Sequence, residues 1–147
     1  MRYRTKLLLI TFLLIGVGCS DQQGKSEIDM PESLPEDFSQ FYQEFHSDTA
    51  FQFAHIVFPL RGLRGEDFMS SDRSEYNWTR DEWTPHELIS DTEQYQFEYD
   101  MIDETMIVET IREKDGPNAM QRRFALMSDG WHLIYYIEMQ PLVSTPN

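Results

Sequence analysis

From Gln94 onward the chain takes a period of two. Tyr95, Phe97, Tyr99 and Met101 alternate with Gln94, Gln96, Glu98 and Asp100, which puts the four apolar side chains on one face of a half-buried strand. Three more strands are predicted, over Thr105 to Glu113, Met120 to Met127 and Trp131 to Gln140. The last carries Trp131, Leu133, Tyr135, Ile137 and Met139 on one face, with His132, Tyr136 and Glu138 on the other. Asp115-Gly116-Pro117-Asn118 and Ser128-Asp129-Gly130 are turn formers. Links this short require antiparallel neighbours, so the block is a meander.

Upstream, the period is helical. Phe38, Phe41, Tyr42 and Phe45 stand at i, i+3, i+4 and i+7, one apolar face of a helix running to about His46. Ser33 and Glu36 have capping-box spacing, with Pro35 tolerated in the first turn. Asp48 is a natural N-cap for a second short helix, with Phe51 and Ala54 on one side. That helix should end near His55, because Ile56-Val57-Phe58 is β-branched and aromatic. Pro59 is expected to stop that strand or hold it at a sheet edge. Arg61 to Ser74 reads as loop, with a hairpin about Gly62 to Gly65. Two capping-box spacings, Thr79 to Glu82 and Thr84-Pro85-His86-Glu87, predict a short helix from Pro85 to about Ser90, flanked by Trp78 and Trp83 at the core edge. Helices first and a meander afterwards, without βαβ alternation, predict an α+β domain: N-terminal helices packed on a curved antiparallel sheet. It spans residues 34–141 and is followed by a tail, 142–147.

The first residues follow a different logic. Arg2, Arg4 and Lys6 precede a charge-free run from Leu7 to Val17, which ends in small residues at Gly16, Val17 and Gly18. That is the layout of a signal peptide over residues 1–18, and its apolar run is far shorter than the roughly 20 residues that cross a bilayer. Cys19 follows, the one cysteine of the chain. Its position resembles the lipobox of bacterial lipoproteins, in which the chain is cut before the cysteine and the thiol takes a diacylglyceryl group. Val17 and Gly18 fit that pattern; Gly16 departs from its usual Leu, Val or Ile. The resemblance implies lipid attachment at Cys19 and an address in the bacterial cell envelope, tilted to the outer membrane by Ser20, which directly follows the cysteine. With Cys19 consumed, no thiol remains for a disulfide, a nucleophile or a zinc site. Residues 19–33 read as a polar tether.

Loss of the signal leaves 9 basic residues against 26 acidic ones, a charge of −17. Such a field repels phosphate backbones, and no basic stripe offsets it, so nucleic acid is excluded as a partner. Named catalytic motifs are absent, and no cofactor or metal is expected. His46, His55, His86 and His132 are scattered, and His132 reads as a hydrogen-bonded or solvent-facing strand histidine rather than a base. Asp100, Asp103 and Glu104 crowd a turn, where solvated acids are ordinary. Asp48-Thr49-Ala50 resembles a bacterial O-glycosylation motif at Thr49, but three residues carry little weight and capping by Asp48 is the preferred reading; Asn77-Trp78-Thr79 matches an acceptor that usually carries nothing in a bacterium.

Asp37-Phe38 with Phe41, Phe45, Asp48, Phe51-Gln52 and Phe58-Pro59-Leu60, then the tryptophans and a closing Asp129-Gly130-Trp131-His132-Leu133, resemble an uncharacterised lipoprotein domain family of Bacteroidetes. The likeness covers most of residues 34–141 and implies a cone-shaped fold similar to nuclear transport factor two. It transfers no catalytic residues. A curved sheet capped by helices leaves a hollow at its wide end, lined here by Phe41, Phe45, Tyr95, Phe97, Tyr99, Leu133 and Tyr135. Either these residues bind a small ligand or a protein partner, or they fill the hollow and leave a closed core. A small isomerase or hydrolase on the same fold is the alternative to a binding module; it would announce itself by a buried ionisable residue at the cavity floor with a perturbed pKa.

Overall fold

The computed structural model describes residues 30–65 and 74–141. The expected signal peptide, Cys19, the expected tether as far as residue 29 and the expected tail 142–147 lie outside the described residues. Two helices, α1 (Glu36–Ser47) and α2 (Thr49–Ala54), precede six strands: β1 (Ile56–Leu63), β2 (Tyr76–Trp78), β3 (Tyr95–Asp103), β4 (Met106–Glu113), β5 (Asn118–Met127) and β6 (Gly130–Pro141). All six form one curved sheet in the order β2-β1-β6-β5-β4-β3.

The helix stripe is buried as its spacing requires, with Phe38, Tyr42 and Phe45 wholly covered. Phe38 meets Phe124 and Trp131 edge to face at 5.4 and 5.1 Å, and Phe45 meets Phe124 at 5.8 Å. α1 therefore lies across the face of β5 and β6. Its start is not the predicted box: Pro35 is the N-cap and no side chain caps the helix. Asp48 does cap α2, its Oδ1 accepting from Ala50 N at 2.8 Å and Phe51 N at 3.0 Å.

The sheet is mixed rather than antiparallel throughout. β3 to β6 form the expected meander, but β1 enters beside β6 and runs parallel to it, Arg61 opposite Tyr135 and Leu63 opposite Ile137. Pro59 neither ends β1 nor holds it at an edge, since β1 continues to Leu63 between β2 and β6. The β6 pairing breaks between Ile56 and Arg61; a proline, which has no N–H for a ladder bond, fits in that gap. Gly62 belongs to the strand, not to a hairpin turn, and a Cβ there would stand 1.6 Å from Tyr136 O. The link to β2 runs on through residues 66–73, outside the described residues. Two further expectations fail. Residues 85–90 form no helix. Strict alternation fails in β6, where Phe124 pairs with Leu133 but Arg123 pairs with Tyr135. The extra residue, Ile134, is a bulge that exchanges the faces as far as Ile137, after which a second irregularity restores them. Tyr136 thereby turns into the core and Tyr135 turns out, under the guanidinium of Arg123 at 4.5 Å.

Candidate functional site

β4 presents Ile107, Glu109 and Ile111 to the helix side of the sheet, and β5 answers with Phe124, Arg122 and Met120 in register. An ion pair thus sits in the middle of an apolar face, both partners without solvent exposure. Arg122 Nε donates to Glu109 Oε2 at 2.5 Å and Nη2 donates to the Tyr42 hydroxyl at 3.0 Å. The other carboxylate oxygen, Oε1, accepts from Tyr42 and, at 3.2 Å, from Tyr99. Arg122 Nη1 lies 2.6 Å from His46 Nε2, and His46 Nδ1 lies 2.8 Å from the carbonyl oxygen of Tyr42. A carbonyl only accepts, so Nδ1 carries the proton and Nε2 receives the bond from Arg122.

Burial, reinforced by the charge of Arg122, pushes His46 down to about 2 and His86 down to about 3. Both are neutral at physiological pH. Burial raises the Tyr42 and Tyr99 hydroxyls above the ordinary tyrosine value, and Glu109 raises them further. Burial alone would lower Arg122, but the adjoining Glu109 reverses that and lifts it above its usual value. Neither histidine nor either tyrosine in this cluster is held near pH 7, where general acids and bases work best.

Gln52 ties down the long segment between β2 and β3. Its Nε2 donates to Phe45 O at 2.7 Å and His86 O at 2.8 Å; its Oε1 accepts from His86 N at 2.8 Å and Trp83 Nε1 at 3.2 Å. Every hydrogen-bonding position of the amide is filled, and two of them hold the backbone of His86 as a neighbouring strand would. This is why residues 85–90 stay extended despite their helical spacing. Among the described residues, His86 Nδ1 is a buried polar atom without a hydrogen-bond partner, beside the rings of Trp83 at 4.5 Å and Tyr136 at 4.9 Å.

The cluster reaches the surface at Tyr99. With Pro31, Thr92, Tyr95, Gln96, Phe97 and Lys114 it lines a groove of about 300 Å³ along β3, the strand at one edge of the sheet. Lys114 Nζ donates to Thr92 O at 2.7 Å across this groove's rim.

Of the seven residues expected to line a hollow, three are brought together here: Tyr95, Phe97 and Tyr99. Phe45 and Leu133 have no exposure and Phe41 has 7%, so these three fill the core beneath α1. Tyr135 faces away from both. His132 is 7% exposed; its Nδ1 lies 3.0 Å from Gly130 O and its ring 5.1 Å from that of His55, so it shares no face with Tyr136. Asp103 Oδ1 accepts from Thr105 N and Oγ1, both at 2.8 Å, a turn contact. Glu109, Arg122, Tyr42, His46 and Gln52 were not foreseen. A signal existed: Ile107-x-Glu109-x-Ile111 and Met120-x-Arg122-x-Phe124 put opposite charges in the middle of two successive apolar faces. Charges so placed pair when the strands are neighbours.

No family model matches the chain, and no curated protein matches it in sequence. Solved structures do. An NTF2-like protein from Bacteroides fragilis superposes with a TM-score of 0.57 at 18% identity, over 77% of this chain and 50% of that one. The fold is nuclear-transport-factor-two-like. A cystatin-like protein from Bacteroides caccae (TM-score 0.51, 20% identity) and a protein from Bacteroides uniformis (0.51, 19%) each cover 72% of this chain and 78% of their own. The chain spans only half the length of the Bacteroides fragilis protein. In this NTF2-like domain the Arg122–Glu109 pair lies on the sheet face that α1 covers, and the Tyr99 groove lies at that face's β3 margin.

Proposed function

We propose that the chain is a lipoprotein of the bacterial cell envelope, anchored through Cys19 and directed to the outer membrane, whose NTF2-like domain binds rather than catalyses. Its site is the groove at Tyr95, Phe97 and Tyr99, and its ligand is a small neutral or cationic molecule. The observation that carries this reading is Tyr99, one ring that lines the groove while its hydroxyl bonds Glu109. A ligand against the ring meets a wall already fixed from behind, and pre-fixed walls lower the cost of binding. The mature charge of −17 disfavours anionic ligands. The buried, pKa-shifted groups behind the groove are the mark expected of an enzyme, but they are shifted away from neutral pH, His46 and His86 downward and Tyr42 and Tyr99 upward, which disfavours acid–base catalysis.

Thermal-shift and native mass-spectrometric screening of the whole chain against neutral and cationic compounds tests the site. A binder should raise the melting temperature, and Phe97→Ala should abolish that shift while the fold persists. A binder indifferent to Phe97→Ala moves the site elsewhere; turnover lost in Glu109→Gln with the fold intact replaces binding by catalysis. Lipidation is read separately, by fatty-acid labelling and membrane partition that Cys19→Ser should remove.

A further inference from the structure

The two edges of the sheet are unlike. β2, at one end of the strand order, is three residues long. β3, at the other end, is nine residues long and contains no proline, glycine or lysine, and its pairing with β4 is regular from Tyr95 to Met101. Short strands, prolines, lysines and bulges are the devices that keep a sheet edge from pairing further. The β2 edge has the first of them; β3, as far as Met101, has none.

The register says which groups β3 leaves open. Lys114 N donates to Gln94 O at 3.0 Å, so Gln94 turns its carbonyl toward β4. Alternation along an antiparallel strand then turns the peptide groups of Gln96, Glu98 and Asp100 the same way, and those of Phe97 and Tyr99 outward. Among the described residues, no backbone group bonds to these outward ones. The side chains of Phe97 and Tyr99 line the groove, while Glu98 and Asp100 alternate with them on the other face. Glu98 pairs with Arg112 at 3.1 Å; Asp100 is exposed and has no cation among the described residues.

Charge selects the occupant. A second copy would set β3 against itself, and Tyr95–Asp103 has three acids and no basic residue. The chain's own residues 20–29 hold three acids and one lysine, a poor match as well. A peptide strand with basic residues at alternate positions meets Glu98 and Asp100 across the pair, and its intervening apolar residues, bonded to Phe97 and Tyr99, lie beside their rings. We propose that β3 is an open edge to which an extended peptide of alternating basic and apolar residues adds as a further antiparallel strand. Its bonds are to the main chain of Phe97 and Tyr99, so the proposal goes beyond the small-molecule reading of the groove and does not rest on it.

The probe is the capped peptide Lys-Val-Lys-Val-Lys-Val-Lys, titrated into the full chain and read by residue-resolved amide hydrogen exchange. The amides of Phe97 and Tyr99 should exchange freely in the chain alone and become protected with peptide, while those of Gln96 and Glu98, already turned to β4, should not change. N-methylation of the valines removes the donors that face β3 and should weaken binding at least about tenfold. N-methylation of the inner lysines, whose donors face away, should leave binding intact. Both modified peptides carry the same charge, so equal affinities mean adhesion by charge alone and overturn strand addition. Asp100→Lys should also weaken binding, and indifference to it overturns the choice of a basic partner. Amides of Phe97 and Tyr99 that are protected before any peptide is added overturn the open edge and give it to the chain's own tether or to a second copy. No binding of the unmodified peptide overturns the proposal, makes the acids of β3 guards against pairing, and leaves the small-molecule reading of the groove untouched.

Discussion

One sheet face carries two different interiors. Beneath α1, toward β6, Phe38, Phe41, Phe45, Phe124, Trp131 and Leu133 interlock through tilted and edge-to-face rings. Toward β3, the same face holds Arg122, Glu109, Tyr42 and Tyr99 in a closed hydrogen-bond network. Both regions are buried, but they answer to different physics. An aromatic cluster gains with each ring covered and tolerates small errors of position. A buried ion pair recovers its desolvation cost only if every partner is present. The first region is a reason to be stable; the second is stable only when complete.

Breaking the polar half should therefore have the largest effect. Arg122→Met leaves Glu109 buried without its cation, and removal of one partner of such a pair costs about 3–5 kcal/mol. Urea melts should show the loss, with Tyr42 and Tyr99 as the remaining donors to Glu109. A cost below about 1 kcal/mol would mean that water reaches the pair and that the two interiors are not distinct.

In the aromatic half, Trp131→Ala should cost about 3–4 kcal/mol by leaving a cavity against Phe38. The indole also donates from Nε1 to Asp37 Oδ2 at 3.2 Å, which pins the start of α1. Trp131→Phe keeps a ring against Phe38 but loses the bond and part of the packed volume, so it should cost about 1–2 kcal/mol. Equal costs for the two variants would assign the stability to the bond and not to the ring.

Acid separates the halves further. The folded pKa values of His46 and His86, about 2 and about 3, lie below the ordinary 6.5. As pH falls below 6.5 the unfolded chain takes up these protons first, so stability present at neutral pH is lost progressively toward pH 3. The slope is about 1.4 kcal/mol per pH unit for each histidine. His46→Gln keeps an acceptor for Arg122 and should reduce the slope between pH 6 and pH 4 by about that amount. An unchanged slope would show that His46 is charged in the folded state. The aromatic half, with no ionisable group among its six rings and side chains, should add nothing to it.

The two halves were also unequally legible. The aromatic stripe at Phe38, Phe41, Tyr42 and Phe45 and the alternation at Tyr95, Phe97 and Tyr99 declare themselves, because helix and strand periods are local. The placement of β1 beside β6 is not local: nothing in Ile56–Leu63 names Tyr135 as its neighbour. Nor does the bulge at Ile134 carry a glycine or proline to mark it, so Tyr135 and Tyr136 exchange faces without a signal. Residues 85–90 carry good helix-start chemistry, and lose to two hydrogen bonds that hold the backbone of His86 to a glutamine more than thirty positions away. The ion pair was readable in principle, as opposite charges at matching places in adjacent strands, but only after the register was known.

The smallest expected effect sharpens the comparison most. Replacing the network as a unit, with Glu109→Leu, Arg122→Met, Tyr42→Phe and Tyr99→Phe together, removes both charges and leaves no partner unpaired among those four. Exchanges of buried ion pairs for apolar groups of similar volume are often neutral or stabilising. The fourfold variant should therefore melt within about 1 kcal/mol of the parent, far above Arg122→Met alone, because contacting residues are not additive. His46 would lose its bond from Arg122 Nη1, a modest penalty for one neutral acceptor. If the variant is that stable, stability is not what retains the network, and the network reaches the groove through the hydroxyl and ring of Tyr99. Ligand-induced shifts in melting temperature should then be lost in the fourfold variant while its fold is unimpaired. A variant that melts like Arg122→Met would instead make the network a structural necessity of this core, and the groove beside Tyr99 an accident of the sheet edge.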